Sequence, residues 1–356
     1  MVAEDCRIYE DGYTDLVMSS LLNSVKHLLF LSGVRRQSTL QAFDVDEYIE
    51  RVIDGIDGKL RLVPGYRKKL KTVVSRSLAH IDNLVDQIPG PIEVSRQAFI
   101  MDPNVRAYFA TPDHLQEIFD HGAELRSYFA DTTNREVAEC CAMLCANKEE
   151  RRVLGMDVEG EMVRYDVLQT AINFSDYKVL SPAATDDEVR KGIKLCIFDG
   201  MITHALQHIA HLKVRHRDLR IEHRVLHAKL RARQAKGNGL STMLAEAGEM
   251  LENSLELQEQ FDEAENKLNS LLGKKDIYAF YLDEVRKIFD EPERFINLNV
   301  SSLLLTDMKI SVEENSGQPA NKVSFSEIEI VNVMKRVVTI IRYNRGDLTY
   351  FGTVAG

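Results

Sequence analysis

The sequence predicts a predominantly α-helical α+β protein. A helical N-terminal domain covers 1–150, a small antiparallel β segment 151–184, a long antiparallel coiled-coil hairpin 185–273, and a short helix with a second β segment 274–356. Two observations carry this reading. The first is a charge-segregated pair of heptad segments joined by Gly237-Asn238-Gly239. The second is the change from helical to alternating apolar texture on both sides of that pair.

The helical elements come first. Asp44-Val45-Asp46-Glu47 opens a run with apolar residues at Val45, Ile49, Val52, Ile53 and Ile56, a helical stripe behind an acidic first turn. After Pro64, Leu70, Val73, Val74, Leu78, Ile81, Leu84 and Val85 recur at three-to-four spacing and stop before Pro89-Gly90-Pro91. Thr111-Pro112-Asp113 supplies an N-cap residue, a proline at the first helical position and an acid near the positive end of the dipole. A further helix is expected from about Asn134 to Lys148 and would carry Cys140, Cys141 and Cys145.

Strands are expected next. Val153–Val158 and Met162–Val167 flank Glu159-Gly160-Glu161 as a hairpin, and Ala171–Leu180 reads as a third strand. Thr185-Asp186-Asp187-Glu188 caps the next helix. Beyond the hairpin a helix over about 276–290 precedes Pro292. The tail then reads as strands over Ser302–Glu313, Ser324–Val333 and Arg336–Tyr343 around a Met334-Lys335 turn, although Ser324-Phe325-Ser326-Glu327 also matches a helical capping box. The two β segments are expected to meet at the base of the hairpin.

From His204 to Lys236 nine Lys/Arg stand against Asp218 and Glu222, a net of +7; from Met243 to Asn269 eight acids stand against Lys267, a net of −7. The first arm has its seam at Ile209, Leu212, His216, Leu219, His223, Leu226 and Leu230, and the second includes Leu251, Phe261 and Leu268. Folding about Asn238/Gly239 pairs Leu226 with Leu251, His223 with Ser254, His216 with Phe261 and Ile209 with Leu268. Protonation of the seam histidines would bring charge into the interface and weaken it.

Composition bounds the function. A net charge of −10 argues against wholesale coating of nucleic acid, and the 44% hydrophobic content is that of a globular chain. Five cysteines without paired spacing give no disulfide framework. The start Met1-Val2-Ala3-Glu4-Asp5-Cys6 is acidic where a signal peptide is basic, and the apolar stretch Leu16–Val34 is interrupted by Asn23, Lys26 and His27. The expectation is a cytoplasmic protein with no transmembrane segment.

Three sets of side chains are candidates for chemistry. Arg215, Arg217, Arg220, Arg224, Arg231 and Arg233 form a basic face suited to phosphates, although pairing with the acidic arm accounts for it without an outside ligand. His114, Glu117 and His121 share one helix face at i, i+3 and i+7, a usable metal-ligand set. His204, His208 and His211 share one face at i, i+4 and i+7, and the bland reading of such histidines is helix-surface solvation. His216-Arg217-Asp218-Leu219 copies a kinase catalytic-loop string, but no glycine-rich loop, strand lysine or Asp-Phe-Gly accompanies it. The expectation is a non-enzymatic interaction or scaffold protein that uses its arm for self-association or docking and has no cofactor. A protein partner or a second copy ranks ahead of nucleic acid. An anion-binding module for nucleic-acid or lipid phosphate is the first alternative, and a metal-dependent enzyme the second.

Overall fold

The computed structural model describes residues 44–159, 162–237, 247–272, 276–313 and 318–349. The chain divides into two compact units. The first comprises 1–44, 75–204 and 291–356; the second comprises 45–74 and 205–290.

The first unit is built on one mixed sheet. Its strands are β1 (Ile92–Val94), β2 (Glu139–Glu159), β3 (Met162–Ala183), β4 (Ile296–Leu305), β5 (Ile310–Val312), β6 (Asn321–Ile330) and β7 (Met334–Asn344). The order is β1-β7-β2-β3-β5-β4-β6, and β6 also pairs with β7. The pairings from β7 through β2, β3, β5, β4 and β6 therefore return to β7 as a ring of antiparallel ladders. Closure through β5 is narrow, with Thr170 and Ala171 opposite Ser311 and Ile310. Among the described residues, only β1, paired to Ile341–Tyr343 of β7, is parallel.

Between the first β element and the long hairpin lie four short helices: α3 (Arg96–Met101), α4 (Pro103–Tyr108), α5 (Pro112–Asp120) and α6 (Ala123–Ala130), numbered after α1 (Val45–Ile56) and α2 (Tyr66–Asp86). The start of α5 is capped as Thr111-Pro112 implies, with the Thr111 hydroxyl accepting from the His114 amide at 3.0 Å. Residues of α4 to α6 pack with Cys140, Ala142, Leu144 and Ala146 of β2, Phe174 of β3, Phe325 of β6 and Tyr343 of β7. Phe119 stacks on Tyr343 with ring centroids 4.4 Å apart and an interplanar angle of 6°. The alternate side chains Met143, Cys145, Ile328 and Val338 meet Ile193, Cys196 and Ile197 of α7 (Asp186–Gly237) around a small apolar cavity. The strands at the centre of the sheet are thus buried on both faces.

The β2–β3 ladder shifts register three times, between Cys141 and Met143, Cys145 and Asn147, and Gly155 and Asp157. In each case the extra residue belongs to β3, and Ser181, Asp176 and Asp166 sit there at φ 51°, 49° and 62°. Each bulge adds local twist, so three in succession let two strands of 21 and 22 residues coil out of the plane of a flat ribbon.

The second unit contains α1, residues 66–74 of α2, residues 205–237 of α7, and the helices α8 (Ala247–Leu272) and α9 (Ile277–Asp290). Ile49, Val52, Ile53 and Ile56 form the buried stripe of α1, and Tyr281, Leu282, Val285, Ile288 and Phe289 that of α9. Asp57 ends α1 and caps the 3-10 turn Gly58–Leu62 by accepting from the Lys59 amide at 2.9 Å.

These features overturn the expected architecture. The β segments are not small modules beside a helical hairpin; they form one seven-stranded mixed sheet with two strands of more than twenty residues. The helix expected over 134–148 is the first half of β2, because Cys140–Ala146 is an apolar run buried on both faces and so lacks the alternation that marks a strand. Ala171–Leu180 is the continuation of β3, and the turn before β7 falls at Val331–Val333, with Asn332 at φ 60°. A long coiled-coil hairpin is absent among the described residues. The helix α7 runs through Gly237, α8 starts at Ala247, and the two meet at one cluster of Leu226, Leu230, Leu257 and Ala264 with Phe261 against it. Their contacts lie one heptad from the expected register: His223 faces Phe261, the partner assigned to His216. The midpoint between Gly237 and Ala247 is residue 242, not 238/239, which accounts for the shift. Asn238, Gly239, Gly160 and the stretch 16–34 lie outside the described residues.

Candidate functional site

The second unit holds α7 at two points near residue 210. The Lys213 ammonium donates to the Asp57 carboxylate, and His208 Nε2 lies 3.2 Å from Glu284 Oε2. Burial alone would raise the pKa of Asp57, but the Lys213 and Lys59 hydrogen bonds outweigh it and hold the carboxyl below its ordinary value. Glu284 is lowered in the same way, with Lys287 and His208 opposing its desolvation. Lys213 also lies over the Tyr281 ring, 5.7 Å from its centroid.

Beyond these anchors the helix presents three distinct rows. Ile209, Leu226 and Leu230 are buried, and Leu212, His216, Leu219 and His223 are half-buried. On α8, Phe261 and Leu268 are half-buried; Leu251 and Arg233 lie outside the residues described at side-chain level. At 100° per residue, Arg217, Arg220, Arg224 and Arg231 form a second row about a quarter-turn from the first, and all are exposed. Arg215 and Lys229, also exposed, lie on the opposite flank. The third row lies opposite the buried one and contains Val214, Asp218, Ile221, Val225, Ala228 and Ala232; Ile221 is 44% and Val225 47% exposed. The outer face of α7 is therefore a largely apolar strip, interrupted by the exposed Asp218, with basic residues on both sides.

Among the described residues, the charge on this face is not matched by the acids of α8. Among the described residues, no arginine of α7 pairs with Glu256, Glu259, Asp262, Glu263 or Glu265 of α8. Arg217 pairs with its neighbour Asp218 at 3.3 Å, and Arg224 donates to the Arg220 carbonyl. Lys267 pairs with Glu263 on its own helix. The expected neutralisation of one arm by the other is thus not made by these side chains. His216 is pushed below its ordinary pKa, first by desolvation and then by the Arg220 charge.

The α8 helix shows the complementary surface. Leu257, Phe261 and Ala264 face α7, while Leu255 is exposed on the far side beside Glu259, Asp262 and Glu263. A second exposed apolar surface occurs in the first unit, on the distal β2–β3 ladder. Leu154 and Leu168 are cross-strand partners there, and Met156 and Tyr165 lie nearby.

The histidine sets serve other ends. His114 Nδ1 accepts from the Ala110 amide, its ring meets Tyr177 edge-on, and His121 Nδ1 lies 2.8 Å from the Glu117 carbonyl. His204 Nδ1 contacts the Val331 carbonyl at 2.8 Å, and His208 is the partner of Glu284. Among the described residues, no group of three or more His, Cys, Asp or Glu is placed to hold a metal ion, and His114, Glu117 and His121 are no exception. Cys140, Cys141 and Cys145 are buried in β2; burial pushes the Cys140 thiol up to about 12 and Cys145 higher still. They pack as small apolar groups.

Sequence reading found the arginine row and missed the apolar row between the basic flanks. Its signal was Val214, Ile221, Val225, Ala228 and Ala232 at spacings of seven, four, three and four. Among the described residues, no helix is long and apolar enough to cross a membrane. Comparison with known proteins finds no family model, no curated protein and no solved structure that matches this chain.

Proposed function

We propose that this chain is a non-enzymatic interaction protein whose long helix α7 docks a partner with an acidic, partly apolar surface. The observation that carries the reading is the exposed pair Ile221 and Val225, flanked by Arg217, Arg220 and Arg224 on one side and Arg215 and Lys229 on the other. An apolar strip supplies the area whose burial drives association. Flanking arginines add on-rate and select acidic partners over basic ones. A strip of Ile and Val is of little use to a nucleic-acid backbone, and no aromatic side chain interleaves with the arginines for base stacking.

A direct test is a fluorescence-anisotropy titration of the full chain against a labelled amphipathic peptide with leucines at heptad spacing and glutamates beside them. Saturable binding is expected, weakened by Ile221→Glu/Val225→Glu and by Arg217→Glu/Arg220→Glu. Equal binding by wild type and both variants, or no binding by any, overturns the reading. A labelled DNA duplex forms the second arm. Tighter binding to the duplex, with a steep salt slope and no effect of the Ile221/Val225 change, would move the function to phosphate recognition.

A further inference from the structure

The outer faces of α7 and α8 match in what they lack. From Arg215 to Arg231 the first carries six Lys/Arg against Asp218 and Glu222, a net of +4, around Ile221 and Val225. From Leu255 to Asn269 the second carries five acids against Lys267, a net of −4, around the exposed Leu255. Neither set is neutralised across the α7–α8 contact among the described residues, because that contact is made by Leu226, Leu230, Leu257, Phe261 and Ala264 on the opposite sides of both helices. We infer that the partner of the basic face is the acidic face of α8 in a second copy of this chain. This rests on the docking reading above and names its occupant.

The geometry also sets the symmetry. Within the second unit the two outer faces point away from each other, since each lies about half a turn from the shared cluster. One copy therefore offers its basic face at one side and its acidic face at the other. A contact between unlike patches is head-to-tail, and it propagates unless rotation closes a ring. The basic row from Arg215 to Arg231 is about 24 Å long at 1.5 Å per residue. A contact of that length is at the small end of specific interfaces, so association is weak, reversible and dependent on protein concentration. Opposed charges that stay near water also make it salt-sensitive.

The test is sedimentation equilibrium of the full chain over a concentration series at about 50 mM and about 500 mM NaCl, a change that shortens the screening length severalfold. At low salt the average mass is expected to rise with concentration and pass through the dimer value without a plateau, or to stop at a ring of more than two copies; at high salt it returns towards the monomer. Arg217→Glu/Arg220→Glu/Arg224→Glu is expected to be monomeric, and so is Glu259→Lys/Asp262→Lys/Glu263→Lys. An equimolar mixture of the two variants should assemble again, because each then offers what the other lacks. That recovery separates a broken interface from a misfolded chain. A wild type that stays monomeric at every concentration, variants that still associate, or a mixture that stays monomeric overturns the inference. If the wild type is monomeric yet binds the acidic peptide, the docking face stands and only the second copy is ruled out as its occupant.

Discussion

His223 of α7 and Phe261 of α8 meet in a tilted ring contact, with centroids 4.6 Å apart and an interplanar angle of 35°. His227, one turn on, lies 5.9 Å from the same ring. Phe261 thus packs against the cluster formed by Leu226, Leu230, Leu257 and Ala264, between the last two along α8. Among the described side chains, this cluster is what joins α8 to α7, so the attachment depends in part on this ring. Phe261→Ala is expected to cost about 2 kcal/mol of local stability, less than a fully buried phenylalanine would. That corresponds to roughly thirtyfold faster hydrogen exchange over α8, with exchange in β2 and β7 unchanged. Equal exchange rates in α8 of the variant and the wild type would show that the helix is held elsewhere.

His216 gives the same region a pH dependence. Desolvation and the Arg220 charge lower its folded pKa below the ordinary histidine value of about 6.5, so the folded chain binds a proton there less readily than the unfolded one. Stability then rises with pH across the interval between the lowered value and about 6.5, and is lost as pH falls through that interval. The expected result is weaker protection of the α7–α8 amides, relative to their intrinsic exchange rate at each pH, at mildly acidic than at neutral pH, with the difference reduced in His216→Gln. A pH response as large in the variant as in the wild type would assign it to another group.

Much of the helical structure was legible because local signals act locally. Thr111-Pro112, the stripe Ile49-Val52-Ile53-Ile56 and the acidic start at Asp186 each mark a helix through their own neighbours. The sheet was less legible because its pattern depends on partners far away in sequence. Cys140–Ala146 lies between Tyr343–Val337 on one side and Ala183–Lys178 on the other, and burial of both faces removes the period of two. Three bulges on β3 shift its phase three times, so no single alternation spans Met162–Ala183. The α7–α8 register failed for a different reason. A glycine pair marks where a turn is easy, and here α7 continues through Gly237. The basic face was visible in the charges; its exposure followed only from which side of α7 meets Phe261.

Two glycines of α7 make contrasting predictions about how closely that helix lies on the sheet of the first unit. A Cβ on Gly192 would stand 2.7 Å from the Cβ of Ser181, itself held at φ 51° in a bulge. A Cβ on Gly200 would stand 2.3 Å from Cδ1 of Ile330, the far end of a side chain that can rotate. Alanine at either site gains helix propensity of roughly 1 kcal/mol. At Gly200 this gain offsets a side-chain adjustment, whereas at Gly192 the bulge must move. Gly192→Ala is expected to cost about 1–3 kcal/mol net in urea unfolding, and Gly200→Ala less than about 1 kcal/mol. Equal costs at the two sites would contradict the close approach at Ser181.

Arg336 of β7 reaches past β2 to the bulge of β3. Its guanidinium donates to the Asp176 carbonyl at 3.0 Å and to the Asp176 carboxylate, and its side chain is only 12% exposed. The carboxylate belongs to a residue at φ 49°, a conformation that aspartate and asparagine tolerate better than most. The pair therefore fixes the bulge from the opposite side of the central strand. Arg336→Met leaves the carboxylate without its partner and is expected to cost about 2 kcal/mol. Asp176→Asn keeps the backbone preference and the carbonyl contact and should cost about half as much. The double variant should cost little more than Arg336→Met alone, because residues that share one interaction are not additive. Urea denaturation of the four proteins checks this directly, and additive losses would mean that Arg336 and Asp176 stabilise the sheet independently.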